Sequence, residues 1–351
     1  MKPTDRPVTS RDVAKAAGVS QATVSAVLNG YSGNIRVSAA TRERVLQVAQ
    51  ALGYAPNLAA QALRSEHTHL LALVVRAVQS HPYDQPIPYR LNEAASRAAY
   101  RSGYLLLAYH VEVYSSESPA KLVRHLRRQR VDGVLLDAPD CPELVQEVIA
   151  AGLRCVQLLR PQPAEGVPVV VVDPQPGIAA AIHHLVTLGH RHIGFVGLES
   201  DHPVDRARQR AFFSAMRTEG LEVDQKAIQL VPSYALESGY FAMQRLLDLR
   251  APVTALLASA DALTLGILRL LYERGIRVPQ QISIVSYDDA FVAHLYPPIS
   301  AIAQPYEAIA ERAVSLLIPV QGENREAFAS ARVVLPSAFK PRASTAPPIG
   351  R

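Results

Sequence analysis

Eight short apolar runs, separated by segments of helical periodicity, fill the chain from residue 70 to 287 and leave few folds open. LLALVV (70–75), YLLLAY (104–109), GVLLDA (133–138), CVQLL (155–159), VVVVD (169–173), HIGFVG (192–197), ALLAS (255–259) and ISIVSY (282–287) are strand-length and lack the alternation of a half-exposed strand. Continuous apolarity of this kind belongs to strands covered on both faces, the condition of a parallel sheet. NEAASRAAYRSG, KLVRHLRRQR, ELVQEVIAAG, IAAAIHHLVTLG, RAFFSAMRTEG, SGYFAMQRLLDL and LTLGILRLLYERG lie between them and are long enough for the crossover helices that parallel strands require. At 351 residues the chain exceeds what one core usually organises, so two Rossmann-like lobes are expected. A ligand is then expected in the crevice beyond the carboxyl ends of the strands.

The amino end differs in kind. Residues 1–66 hold eight Lys and Arg against four acids, so +4 of the net +5 sits where a polyanion can use it, or where a solvated surface simply carries it. Thr9-Ser10, with Asp12 in the first turn, marks a helix that Gly18 ends, with Val13, Ala14 and Ala17 on its apolar face. Ser20 caps a second helix, Gln21 to Leu28, with Val24, Val27 and Leu28 as its buried stripe. Its exposed face is then Gln21, Ala22, Ser25, Ala26 and Asn29. Two short helices joined by a glycine turn make a helix-turn-helix, whose second helix enters a major groove; an ordinary helical hairpin shares the pattern. Ser38 opens a third helix with Val45, Val48, Ala49 and Leu52 on one side and Gly53 at its end. LAAQALRS, after Pro56-Asn57, is too short to stand as an isolated helix and is expected to order only against a partner.

Other classes find little support. No run approaches the roughly 18 apolar residues of a membrane span, and MKPTDRPVTSRD carries no apolar signal core, so a soluble, cytoplasmic protein without membrane association is expected. Cys141 and Cys155 alone offer neither a disulfide framework nor a metal site. His183, His184, His190 and His192 cluster in sequence, but neighbouring helical positions point apart. No Ser-His-Asp order, phosphate loop or paired-carboxylate motif stands out, so no catalytic residue, metal or cofactor is expected and the enzyme class is set aside.

DVAKAAGVSQATVS, VLNG, TRERV and LGYAPN with a following AL closely resemble the amino-terminal signature of the lactose-repressor (LacI/GalR) family of transcription regulators. VDGVLL (131–136), HHLVTLGHRHIGFVG (183–197) and ISIVSYDDAFVAHLYPPISAIAQP (282–305) resemble its later blocks, so the resemblance covers nearly the whole chain. It implies a small all-α helix-turn-helix DNA-binding domain (1–55), a hinge helix (56–66) and an α/β periplasmic-binding-protein-like body. That body's first subdomain takes 67–161 with 291–321 and its second 162–290 with 322–340, with crossings near 161, 291 and 321 and a flexible tail at 341–351. The implied function is a sequence-specific DNA-binding transcriptional regulator of the repressor kind. A homodimer reads a pseudo-palindromic operator on double-stranded DNA and answers to a sugar-like or nucleoside-like effector in the cleft. A solute-binding protein without a regulatory role would use the same body.

The family's recognition positions fall on Gln21 and Ala22. A Gln can bond adenine in bidentate fashion, and an Ala can touch a thymine methyl. Ala26 stands where many relatives carry a guanine-reading Arg. Tyr31, Asn34 and Arg36, in a loop slightly longer than usual, are candidates for phosphate contact or compensating readout, against a plain solvated loop. Thr9, Ser20, Thr23, Ser25 and Asn29 would set register on the backbone. Leu63 matches the leucine that relatives wedge into the minor groove, with Asn57, Ala60 and Gln61 beside it; packing on its own core is the alternative. For the effector, Arg208, Tyr234, Asp288, Gln304 and Tyr306 match family positions, with an inter-lobe salt bridge as the plainer reading of Arg208 and Asp288. Arg160 follows Leu159, which replaces a family Asp, and Tyr83 or Tyr89 is expected to supply stacking.

Overall fold

The computed structural model describes residues 8–28, 37–54, 67–77, 86–112, 119–137, 141–319 and 324–349. Two compact units, residues 1–69 and 70–351, make up the chain.

The first unit is built from α1 (Ser10–Ala17), α2 (Gln21–Leu28) and α3 (Ala39–Ala51) around Val13, Ala14, Ala17, Val24, Val27, Val45 and Ala49. Thr9 donates its amide and its hydroxyl to the Asp12 carboxylate, at 2.9 and 2.7 Å. Gly18 ends α1 at φ 65°, a left-handed conformation open to a residue without Cβ. Three expected placements differ. Ala26 is 5 % exposed instead of lying on the open face. A methyl group projects too little beyond the backbone to escape cover by its neighbours. Leu28 is half-buried, and Leu52 is exposed because it follows the last buried turn of α3 as its cap.

The second unit contains two sheets. β1 (Leu70–Ala77), β2 (Leu105–Glu112), β3 (Gly133–Asp137), β4 (Cys155–Leu158), β5 (Val169–Asp173) and β11 (Arg332–Pro336) form a parallel sheet in the order β11-β5-β4-β3-β1-β2. β6 (Ile193–Leu198), β7 (Ile228–Val231), β8 (Ala255–Ala258), β9 (Ser283–Asp288), β10 (Ser300–Ala303) and β12 (Ala338–Lys340) form the other, in the order β12-β10-β9-β8-β6-β7. Only β12 runs antiparallel there, against β10. Both faces of the first sheet are buried along its inner strands. Leu71, Leu73 and Val75 enter the core beneath α4 (Pro86–Arg101) and α11 (Tyr306–Leu317). Ala72 and Val74 enter the core beneath α5 (Pro119–Gln129) and α6 (Pro142–Ala150). Burial on alternate sides is what turns these strands into unbroken apolar runs.

The second sheet is flanked by α7 (Gln175–Thr187), α8 (Pro203–Thr218), α9 (Leu236–Asp248) and α10 (Asp261–Glu273), with α12 (Arg325–Ala329) returning to the first lobe. α9 and α10 meet backbone to backbone. A Cβ on Gly266 would lie 1.9 Å from the Leu236 carbonyl oxygen, and one on Gly239 would lie 2.1 Å from that of Leu263, so glycine alone permits the approach.

The crossings are displaced from the expected 161, 291 and 321. β5 pairs with β4 and β11 in the first sheet, so the chain first changes lobe after Asp173. β10 still belongs to the second sheet and α11 packs on the first, which puts the second crossing at Gln304-Pro305. The third falls at Ser337, between β11 and β12. Strands of the two sheets are alike in composition, so no shift of residue type marks a crossing. The segment expected as a flexible tail is docked through residue 349. Ser344 is fully buried and bonds Ile284, while the Ala346 carbonyl lies 2.9 Å from His190 Nε2. His190 also meets Thr254 and Ser283, which makes it a hydrogen-bonded core residue. No helix among the described residues is long and apolar enough to cross a membrane.

Candidate functional site

Carboxyl ends of strands from both sheets surround a cavity of 510 Å³. Asp137 closes β3, Val171 and Val172 belong to β5, and Leu198 and Ser200 follow β6. Ser233 and Tyr234 follow β7, and Tyr287 and Asp288 close β9. Asp137 sits beside β1, where the strand order of its sheet reverses and the two helical connections diverge to opposite faces.

The floor is a buried polar network. Arg208, on α8, donates from Nη1 to the Ser259 carbonyl at 2.7 Å and from Nη2 to Asp288 Oδ1 at 3.2 Å. Its guanidinium carbon lies 4.1 Å from the centre of the Tyr287 ring, and its Nε has no partner. Asp288 Oδ1 also accepts from Gln304 Nε2 at 2.7 Å, which ties the ion pair to the second crossing. Asp288 holds φ 107° and Asp289 φ 57°, where β9 turns out of the sheet. That exit is fixed from behind by Asp261, whose carboxylate accepts from Ser286 Oγ at 2.6 Å and from the Ala290 amide at 2.7 Å. Burial and then the Asp288 charge push Asp261 up to about 7, against those hydrogen bonds. Burial also raises Asp288, while Arg208 and Gln304 pull it back down. Tyr234 gives its hydroxyl proton to Asp205, and burial raises its pKa. Tyr287 is pushed up to about 12 by burial.

Four of the expected effector residues, Arg208, Tyr234, Asp288 and Gln304, line this cavity. Three do not. Tyr306 is buried in the first lobe's core at the start of α11, placed there by the apolar stripe of its helix. Tyr89 stands exposed on α4. Arg160 turns back to donate from Nε to the Gln162 carbonyl at 2.9 Å, holding its own loop. Tyr83 lies outside the described residues. Sequence reasoning overlooked Asp137, Asp205 and Tyr287. Asp137 and Tyr287 each end an apolar strand run, and Asp205 precedes Arg208 by three residues on one helix face, so the strand-end rule and helical spacing pointed to them.

On the first unit, Gln21 and Ala22 are exposed, while Thr23 and Ser25 are half-buried. Gln21 Nε2 donates to Ser10 Oγ at 2.8 Å, which aligns the start of α2 on α1 and leaves the amide oxygen for other use. Ser20 Oγ accepts from the Thr23 amide at 3.1 Å and caps α2. Asn29, Tyr31, Asn34, Arg36, Asn57, Ala60, Gln61 and Leu63 lie outside the described residues.

Residues 9–57 match the model of bacterial regulatory proteins of the lacI family, and residues 182–345 match a periplasmic binding protein-like domain. The chain is 30 % identical over 342 residues to the HTH-type transcriptional regulator DegA of Bacillus subtilis, spanning 96 % of this chain and 97 % of DegA. It is 33 % identical over 323 residues to the HTH-type transcriptional regulator CelR of Thermobifida fusca, spanning 90 % and 92 %. Among solved structures, a CelR complex with cellobiose matches with a TM-score of 0.66 at 31 % identity, over 97 % of this chain and all of that one. A lac repressor dimer bound to operator and the anti-inducer ONPF matches with a TM-score of 0.72 at 26 % identity, over 97 % and 100 %. The helix-turn-helix unit, the two-sheet body and relatives spanning almost its full length agree: this chain is a DNA-binding transcriptional regulator and belongs to the lacI family of bacterial regulatory proteins.

Proposed function

We propose that this regulator is a cytoplasmic repressor, a homodimer that reads a pseudo-palindromic operator and whose operator affinity is set by a small polar metabolite in the inter-lobe cavity. The observation that carries this reading is the Arg208–Asp288–Gln304 network. Its guanidinium and carboxylate face the cavity, and its amide belongs to a crossing between the lobes. A ligand that takes hydrogen bonds from this network acts on the joint that sets the lobe arrangement. It thereby shifts the population able to hold DNA, to the extent that it binds one arrangement better. A CelR relative holds cellobiose, and a lac repressor relative is a dimer on its operator; both are consistent with this reading.

On DNA, Gln21 and Ala22 face base edges from α2, with Ser20, Thr23 and Ser25 setting register and Leu63 wedged at a base step. Two-fold symmetry places one α2 in each half-site. The relatives are transcriptional regulators, and the reading assigns this chain regulation without catalysis. The test is a thermal-shift screen of sugars, nucleosides and polyols, followed by operator binding with each hit, since a cleft ligand stabilises the folded state by mass action. A hit that changes operator affinity supports the reading. Hits that leave operator affinity unchanged refute it.

A further inference from the structure

We propose that the cavity is built for a small organic cation, whose ammonium group is received by Asp137 and whose apolar body lies against the wall of the first lobe. The inference rests on the cavity being the effector site and names the ligand class it takes. Its two walls differ in chemistry. The first lobe contributes Ile87, Leu159, Pro161, Val171 and Val172, and among the described residues Asp137 is the one ionisable group on that side. Among the described residues Asp137 has no hydrogen-bonding or ionic partner. A carboxylate on an apolar wall costs several kcal/mol unless something pairs it, and burial accordingly pushes Asp137 up to about 7.

On the facing wall, Asp205 and Asp288 stand with Arg208. Asp288 already occupies the guanidinium, and Asp205 accepts only the neutral Tyr234 hydroxyl. Among the described lining residues three carboxylates therefore stand against one guanidinium and the His202 imidazole, and even with that imidazole protonated the surplus is negative. An anionic ligand would meet that surplus. A polyol would leave the hydroxyls of one face without partners against proline and aliphatic side chains. A cation with an apolar body answers both walls. The unpartnered Nε of Arg208 adds one donor, which an oxygen on the same ligand can accept.

The test uses the full-length protein at pH 7.5, with matched pairs that differ in one amine: tyramine and 4-ethylphenol, glucosamine and glucose, 5-aminopentanol and 1,5-pentanediol. Melting temperature and calorimetric affinity are read for the wild type and for Asp137→Asn, whose own melting temperature without ligand reports that it is folded. The expected result is that at least one amine stabilises the wild type, its neutral counterpart does not, and Asp137→Asn binds that amine about tenfold more weakly or worse. The proposal is overturned if no amine stabilises, if neutral counterparts bind as well, or if Asp137→Asn binds undiminished. A neutral sugar or nucleoside that stabilises the wild type but not Asp288→Ala overturns the cation while leaving the cleft as effector site. If nothing stabilises, both readings fall.

Discussion

Asp288→Ala removes the one carboxylate on which both the Arg208 guanidinium and the Gln304 amide converge. Arg208 is 5 % exposed and keeps its charge in the variant, held by the Ser259 carbonyl and the Tyr287 face alone. Removing one partner of a buried ion pair costs about 3–5 kcal/mol. Losing Asp288 also relieves Asp261, whose carboxyl it pushes up, and each pKa unit recovered returns about 1.4 kcal/mol. The net destabilisation is about 2–4 kcal/mol, which in a body of this size lowers the melting temperature by about 3–7 °C. Scanning calorimetry of the full-length protein measures it. None of these residues lies in the first unit, so the operator-reading surface is untouched and the variant is expected still to bind operator, while its ligand response disappears. A variant that melts with the wild type would refute the reasoning from an orphaned buried charge. One that keeps the full ligand response would place the ligand elsewhere.

Three further outcomes are expected. The Asp137 carboxyl ionises near 3.8 when unfolded but holds its proton to about 7 in the fold, so wild-type stability falls relative to Asp137→Asn as pH rises through that interval. Water reaching the half-buried side chain from the cavity limits the change to about 2 kcal/mol, and parallel denaturation curves at pH 4 and pH 8 for the two proteins check it. Gly266→Ala forces a methyl into the Leu236 backbone and must separate α9 from α10, at a cost of about 3 kcal/mol or more in urea unfolding; an unchanged midpoint would mean that the helices yield freely. Leu63→Ala is expected to weaken operator binding about tenfold or more while ligand binding is retained, and equal operator affinity would remove its wedge role.

Much of this architecture is legible in the residues, and the misses have physical causes. All eight apolar runs form strands; seven are largely buried and have few polar positions to obscure them, while the edge strand β2 is legible from its apolar residues although none of those described is buried. The sequence pattern does not reveal β7 and β11, edge strands with alternating exposure, nor β10 and β12, which are only four and three residues long. The crossings at Asp173, Gln304 and Ser337 take one or two residues each; the Pro174-Gln175-Pro176-Gly177 run after the first reads as a helix start, and the single prolines beside the other two read as ordinary turns. At the site, Arg208 and Asp288 were legible from their motifs. Tyr306 enters the core and not the cavity lining, since an aromatic residue beside a crossing can pack beneath it as readily as line the cavity. Proline-rich composition at the carboxyl end predicts flexibility because it reports chain propensity alone. It does not report the tertiary bonds that Ser344 and Ala346 make.

The central claim is that occupancy of the cavity and operator affinity are one linked equilibrium. Fluorescence anisotropy of a duplex flanking the protein's own gene, titrated at several salt concentrations with and without a ligand found by thermal shift, tests it directly. Expected are tight binding that weakens steeply with salt, preference over an unrelated duplex, and a ligand-induced change in affinity that Asp288→Ala abolishes. Equal binding to both duplexes, or an operator affinity indifferent to a ligand that stabilises the body, would contradict it.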